Sequence, residues 1–207
     1  MHVLSRNLPV DAVLFNLDGA LLITSASIAN TPRRALIDNE TIRGRPDGQL
    51  AKLCPGVEAS LEGLRQMGLK LGIVTNGDTR DVSTLLQRSG LSAWFDIVVD
   101  GDTLGACKPD PAPLLHACDA LAVEPAHALN VGDSVNDAMA AQAAGMAMVR
   151  VNHGYRTNRA VSDLPCLQVI DDLSELLELI GGPPPWRRPK RSARVVRQQD
   201  EQVGQWI

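Results

Sequence analysis

Aromatic residues are scarce in this chain: two Phe, one Tyr and three Trp make up 3% of 207 residues. Single-stranded nucleic-acid modules stack bases on aromatic rings, so the scarcity argues against that class. The four cysteines, Cys54, Cys107, Cys118 and Cys166, stand far apart with no CxxC pair. Neither a zinc site nor a redox dithiol is readable from them, and scattered thiols suit a reducing cytoplasm. No apolar run approaches the ~18 residues of a membrane helix. Ala12 to Ile23 is fairly apolar, but Asp11, Asn16 and Asp18 interrupt it, which disfavours a signal peptide. There is no GxxxxGK[ST] phosphate loop, no GxGxxG dinucleotide fingerprint and no HExxH pair among the four histidines.

What is present is a globular composition, 44% apolar and 21% charged, with a formal charge of −4. That charge is uneven. Residues 181 to 207 hold six Lys/Arg (Arg187, Arg188, Lys190, Arg191, Arg194, Arg197) against two acids, leaving a tail of +4 and a body of −8. The run GGPPPWRRPKR has no apolar face and cannot continue a helix, so a disordered basic tail is expected from 181 onward. The acidic body makes nucleic acid an unfavoured partner, while the tail could reach an acidic protein partner.

Between these limits, short apolar runs alternate with segments of helical period. Strands are predicted at Val10–Leu17, Leu69–Thr75, Asp96–Val99, Ala128–Val131, Ala147–Val151 and Leu167–Ile170. Helices are predicted from Pro55 to Gly68, where Val57, Leu61 and Leu64 share a face, and at Thr79–Ser89, Pro111–Leu121, Val135–Ala144 and Leu173–Ile180. The polar stretch from Thr24 to Lys52 reads as a connector with one short helix near Pro32–Asn39. Strands alternating with helices of this length predict an α/β fold, a Rossmann-like, doubly wound parallel sheet covered on both faces.

Such sheets bind ligands beyond the carboxyl ends of their strands. Four polar clusters fall there: Asn16-Leu17-Asp18-Gly19, Thr75-Asn76-Gly77-Asp78, Lys108-Pro109-Asp110-Pro111, and Gly132-Asp133-Ser134-Val135-Asn136-Asp137. Asp18, Asp133 and Asp137 could share Mg²⁺ through oxygen ligands, while Lys108 and the Thr75 hydroxyl could hold an anion. Blander readings exist for each. Asp133 and Asp137 could be turn and N-cap carboxylates, Lys108 a solvated lysine beside two prolines, and Thr75 a hydroxyl that serves a nearby backbone group. His116 and His127 read as surface or packing residues.

The four clusters jointly resemble the motifs of haloacid dehalogenase-type (HAD) phosphatases, in the same order and at the same strand ends. The first motif, DxDGT, stands here as Asn16-Leu17-Asp18-Gly19-Ala20; the second falls at Thr75, the third at Lys108, and the fourth, GDSxND, at Gly132 to Asp137. Within that family the chain is most similar to bacterial phosphoglycolate phosphatases, through Pro55-Gly56-Val57-Glu58-Ala59, Val74-Thr75-Asn76, Gly101-Asp102-Thr103-Leu104, Lys108-Pro109-Asp110-Pro111 and Asn152-His153-Gly154-Tyr155. The resemblance covers residues 10 to 180. It implies a Mg²⁺-dependent hydrolase of a small phosphorylated metabolite, with Asp18 as acid and base, Thr75, Asn76 and Lys108 on the phosphate, and Asn16, Asp18, Asp133 and Asp137 around the metal.

Two departures follow from the same comparison. The family's nucleophile and metal ligand is an aspartate at the position of Asn16, and an amide oxygen is a far poorer nucleophile than a carboxylate. Only 35 residues lie between Gly19 and Pro55, where the family carries a helical cap domain that selects the substrate. The expected organisation is therefore a core over 1–180 with a short insert at 24–52 in place of the cap, then the tail. The expected function is an impaired phosphatase, or, alternatively, a pseudophosphatase that binds phosphate, a metabolite or a protein without turnover.

Overall fold

The computed structural model describes residues 9–24, 51–152 and 166–181. The connector helix expected near 32–39, the residues His153 and Tyr155, and the basic tail beyond 181 lie outside the described residues.

Eight strands and five α-helices follow in chain order. They are β1 (Ala12–Phe15), β2 (Leu22–Ile23), β3 (Lys52–Leu53), α1 (Val57–Gln66), β4 (Lys70–Val74), α2 (Thr79–Ser89), β5 (Ile97–Val99), α3 (Ala112–Leu121), β6 (Ala128–Gly132), α4 (Val135–Ala143), β7 (Ala147–Val151), β8 (Gln168–Ile170) and α5 (Glu175–Gly181). Six of the strands form one sheet in the order β5-β4-β1-β6-β7-β8, every pairing parallel. The predicted doubly wound architecture is therefore present.

β1 shows why a near-continuous apolar run is needed at the sheet's centre. Successive side chains point to opposite faces. Val13 and Phe15 join one core with Leu61 and Leu64 of α1, Val82 and Leu86 of α2, and Leu176 and Leu177 of α5. Ala12 and Leu14 join the other, with Leu114, Ala117 and Leu121 of α3 and Ala138 and Ala141 of α4. All four residues of β1 are fully buried, so neither face can carry a polar residue until the strand ends.

The helices stop by one recurrent device. After α1, the Gly68 amide donates to the Arg65 carbonyl and the Leu69 amide to the Leu64 carbonyl, with Gly68 in the left-handed region at φ 81°. The same pair of bonds closes α2 at Gly90 and α4 at Gly145. At α3 it is made by Ala122, the sole non-glycine with positive φ, 50°, among the described residues.

The predicted strands are all present: β7 has the predicted bounds, β6 runs one residue further, to Gly132, and β1, β4, β5 and β8 are shorter, β1 spanning Ala12–Phe15 against the predicted Val10–Leu17. The chain leaves the ladder after the Asn16 amide donates to the Val131 carbonyl (2.8 Å) and turns sharply, the Leu21 and Leu22 amides both donating to the Leu17 carbonyl. That turn leads into an element the sequence did not announce, an antiparallel pair of two-residue strands, β2 with β3, registered Leu22 to Leu53 and Ile23 to Lys52. Strands of two residues show no periodicity, and Lys52 reads in the sequence as the end of the connector.

Candidate active site

β1, β4 and β6 are neighbours at the centre of the sheet, and the chain leaves this centre in one direction through β4 and β5 and in the other through β6, β7 and β8. This is the point where a doubly wound sheet opens a crevice at its carboxyl edge. Asn16 and Asp18 follow β1, Thr75 and Asn76 follow β4, and Asp133 follows β6.

Lys108 organises the crevice. It is 4% exposed, which removes the reading of a solvated lysine beside two prolines. Its ammonium donates to Asp137 Oδ1 (2.6 Å), to the Val74 carbonyl (2.6 Å) and to Asn16 Oδ1 (3.2 Å). Its backbone is held as well: the Lys108 amide donates to Asn76 Oδ1 (2.9 Å), and Asn76 Nδ2 donates to the Lys108 carbonyl (2.7 Å). Asn76, expected on the phosphate, thus commits both ends of its amide to placing Lys108.

Asp137 is fully buried and closes the N-terminus of α4. Its Oδ2 accepts from the Ser134 amide (3.0 Å) and hydroxyl (2.5 Å), while Ser134 Oγ accepts from the Asp137 amide (3.2 Å), a reciprocal capping box. The N-cap of α4 is thus Ser134 rather than Asp137, which closes the box from the third helical position with one oxygen and gives the other to Lys108. This carboxylate fixes the ammonium in space.

Asn16 sits between Lys108 and the acidic side of the crevice. Its Nδ2 donates to the Asp18 carbonyl (2.7 Å) and to Asp133 Oδ1 (3.3 Å), and its single oxygen receives Lys108. Asp133 is 8% exposed and packs against Gly19 so closely that a Cβ there would lie 2.4 Å from Asp133 Oδ2. Asp18 Oδ1 accepts from the Thr24 hydroxyl at 2.8 Å. Sequence reasoning missed Thr24 and Ser134 as supports; Ser134-x-x-Asp137 did carry a readable capping pattern. Thr75, 7% exposed, accepts a long 3.4 Å bond from the Gly77 amide, so the structural role expected of such a hydroxyl is only weakly met.

Behind the crevice, the Cys54 thiol is pushed well above its usual range by burial and by the charges of Asp133 and Asp18, so it is an inert packing group. On the next strand end, burial raises Asp100, but hydrogen bonds from Thr103 and Thr79 outweigh it and hold that carboxyl below its usual range. His116 is exposed and His127 pairs with Asp11 at the surface (3.3 Å), so neither belongs to the site.

The donor set can be tested against Mg²⁺, which demands oxygen ligands in near-octahedral geometry. The group facing both the Asp18 carbonyl and Asp133 is the NH₂ of Asn16, not an oxygen. Asp137 has both oxygens engaged. Among the described residues, no three His, Cys, Asp or Glu side chains form a group able to hold a metal. The arrangement around Asn16, Asp18, Asp133 and Asp137 does not fit the ion expected there.

The model of the haloacid dehalogenase-like hydrolases matches residues 20–145. The chain belongs to this family. A phosphoglycolate phosphatase from Nitrosospira multiformis is 35% identical over 219 aligned positions, covering 84% of this chain and 96% of the relative. One from Thiobacillus denitrificans is 42% identical, but there the match covers 58% of this chain and 53% of the relative. Among solved structures, the HAD phosphatase of Thermococcus onnurineus superposes with a TM-score of 0.66 at 28% identity, covering 84% of this chain and 99% of that one. A predicted phosphoglycolate phosphatase from Haemophilus somnus gives 0.66 at 25% identity, covering 83% and 98%. Among the described residues no helix is long and apolar enough to cross a membrane.

Proposed function

We propose that this chain is a phosphatase-fold protein of the phosphoglycolate phosphatase kind that recognises a small phosphomonoester and turns it over very weakly. The observation that carries this reading is the Asn16 to Lys108 hydrogen bond, 3.2 Å, at the position of the family's nucleophile.

In the reaction that the family resemblance implies, a carboxylate at that position would attack phosphorus. The ester oxygen would leave with a proton from Asp18, and water would then release phosphate. The Asn16 carbonyl oxygen carries no formal charge, and Lys108 draws its electron density away from any attack. Losing a nucleophile of this type costs up to ~10⁶ in kcat in another nucleophilic enzyme class. Recognition is less affected. Lys108 supplies a buried cation, Thr75 a hydroxyl and the Leu17 and Asp18 positions backbone amides, while the Gly19 amide is spent on the Leu22 carbonyl, and the amide in place of a carboxylate removes one repelling charge. Asp18, oriented by Thr24, occupies the place of the acid and base.

In this reading the core extends over residues 1–180, the segment 24–52 stands where relatives carry a cap, and 181–207 is a separate basic tail. A cytoplasmic setting accords with four free cysteines. The rival reading, binding without any turnover, is favoured by the same Asn16 contact.

Phosphate release from 2-phosphoglycolate and from an aryl phosphate, compared between the native chain and Asn16→Asp, tests the proposal. The substituted chain should release phosphate at least a thousandfold faster. Equal rates would overturn the assignment of Asn16 as the lesion, and native release below detection together with measurable 2-phosphoglycolate binding would select the rival.

A further inference from the structure

We infer that the Asn16 side-chain amide takes the place of a divalent cation in this chain, cross-linking the β1 and β6 loops and keeping Mg²⁺ out. The inference rests on reading this edge as a phosphatase-derived site.

Three observations lead to it. First, the amide orientation is fixed by its partners. Oδ1 receives the Lys108 ammonium, and Nδ2 donates to the Asp18 carbonyl and to Asp133 Oδ1. Turning the amide over would bring NH₂ against NH₃⁺ on one side and oxygen against two oxygens on the other. Second, a carboxylate at this position has two oxygens and could accept from Lys108 with one while ligating a cation with the other. An amide has one, neutral and already drawn on by Lys108. Third, Lys108 cannot withdraw, being buried, tied to Asp137 and the Val74 carbonyl, and clamped along its backbone by Asn76.

A cation could enter only by reversing the amide, exchanging charge-assisted bonds for donor-donor repulsion. That exchange alone lowers cation affinity by about 10- to 100-fold. Loss of the carboxylate's charge lowers it further. Meanwhile the two amide hydrogens point at the oxygens that a cation would otherwise hold together, so the loops are joined without one. An anion at this edge then depends on Lys108, Thr75 and backbone amides alone, and its binding is indifferent to chelators.

The experiment titrates Mn²⁺ by electron paramagnetic resonance and follows thermal unfolding in EDTA and in millimolar Mg²⁺, for the native chain, Asn16→Asp and Asp133→Asn. The native chain should bind no Mn²⁺ at this edge and melt at the same temperature in both buffers. Asn16→Asp should melt lower in EDTA, because its new carboxylate faces Asp133, recover in Mg²⁺, and bind one Mn²⁺. Stoichiometric Mn²⁺ on the native chain that disappears in Asp133→Asn would overturn the inference, even if Asn16→Asp failed to fold. A folded Asn16→Asp that also ignores Mn²⁺ would overturn it too, since something other than Asn16 would then exclude the ion. Calorimetry with orthophosphate and 2-phosphoglycolate in EDTA reads the functional proposal separately: no heat in that arm removes the phosphomonoester site and leaves the Mn²⁺ result standing.

Discussion

Lys108 Nζ and Asp137 Oδ1 lie 2.6 Å apart with both side chains almost entirely out of solvent, 3% and 1% exposed. Twenty-nine residues separate them in sequence, so this bond ties the loop before α3 to the start of α4 and fixes where a positive charge can stand in the crevice. A buried pair of this kind need not be a net source of stability, but breaking it leaves an uncompensated charge. Lys108→Met is expected to lower the unfolding free energy by about 3–5 kcal/mol. Adding Asp137→Asn should recover part of that loss, and a urea-denaturation double-mutant cycle would measure the coupling.

Gly19 and Gly68 separate two costs that usually come together. Both have positive φ, 90° and 81°, yet a Cβ at Gly68 meets nothing within 4 Å while one at Gly19 meets Asp133 Oδ2 at 2.4 Å. Gly68→Ala should cost about 1–2 kcal/mol, the conformational price of the left-handed region. Gly19→Ala should cost clearly more and displace the Asp133 carboxylate. Equal losses in urea denaturation would show that the Asp133 contact yields freely.

Ala122 offers the reverse experiment. It ends α3 at φ 50° with the hydrogen bonds that glycine supports at the other helix stops. Ala122→Gly should stabilise the chain by about 0.5–1 kcal/mol, after allowing for glycine's greater freedom when unfolded. A rise of a few degrees in melting temperature would register it.

Asp96 sets a pH dependence. Burial raises its carboxyl, but the Arg65 fork (Nη1 to Oδ2 and Nη2 to Oδ1, both 2.9 Å) and the Leu71 amide outweigh it and hold the group below its usual range. A carboxyl depressed on folding contributes stability that is present above the unfolded value of about 3.9 and is lost as pH falls through the folded value. Both side chains are about one-third exposed, so solvent screening limits the contribution to about 0.5–1 kcal/mol. Asp96→Asn should therefore be less stable than the native chain at pH 7, and the gap should close below about pH 4 in urea titrations.

How much of this could be read from the sequence depends on range. The α/β class followed from strand-length apolar runs alternating with helix periods, because burial on both faces leaves a mark in local composition. Helix ends were legible at Gly68, Gly90 and Gly145, where one residue type answers one backbone requirement; the end at Leu121 was legible as well, but not the left-handed turn at Ala122 that makes it, where an ordinary residue does the same work. The residues at the crevice were legible as a set because strand ends concentrate polar groups. Their bonding was not. Nothing in the sequence indicates that Asn76 grips the Lys108 backbone, that Asp137 is shared between Ser134 and Lys108, or that the Asn16 amide turns its nitrogen to Asp133. Those are three-dimensional choices among donors and acceptors that the sequence only enumerates. Thr24 escaped for a related reason: a threonine beside a polar stretch gives no sign of which carboxylate it will meet.

The short β2–β3 ribbon brings Ile23 and Lys52 opposite one another. The described chain breaks off at Thr24 and resumes at Ala51, two positions that this pairing holds close together, and closing a connection of twice the length between such ends costs only about 0.6 kcal/mol more. The ribbon works as a socket. The length of the connection joined there is therefore a weak constraint on α1, β1 and the crevice, whose places are fixed by the sheet and not by it.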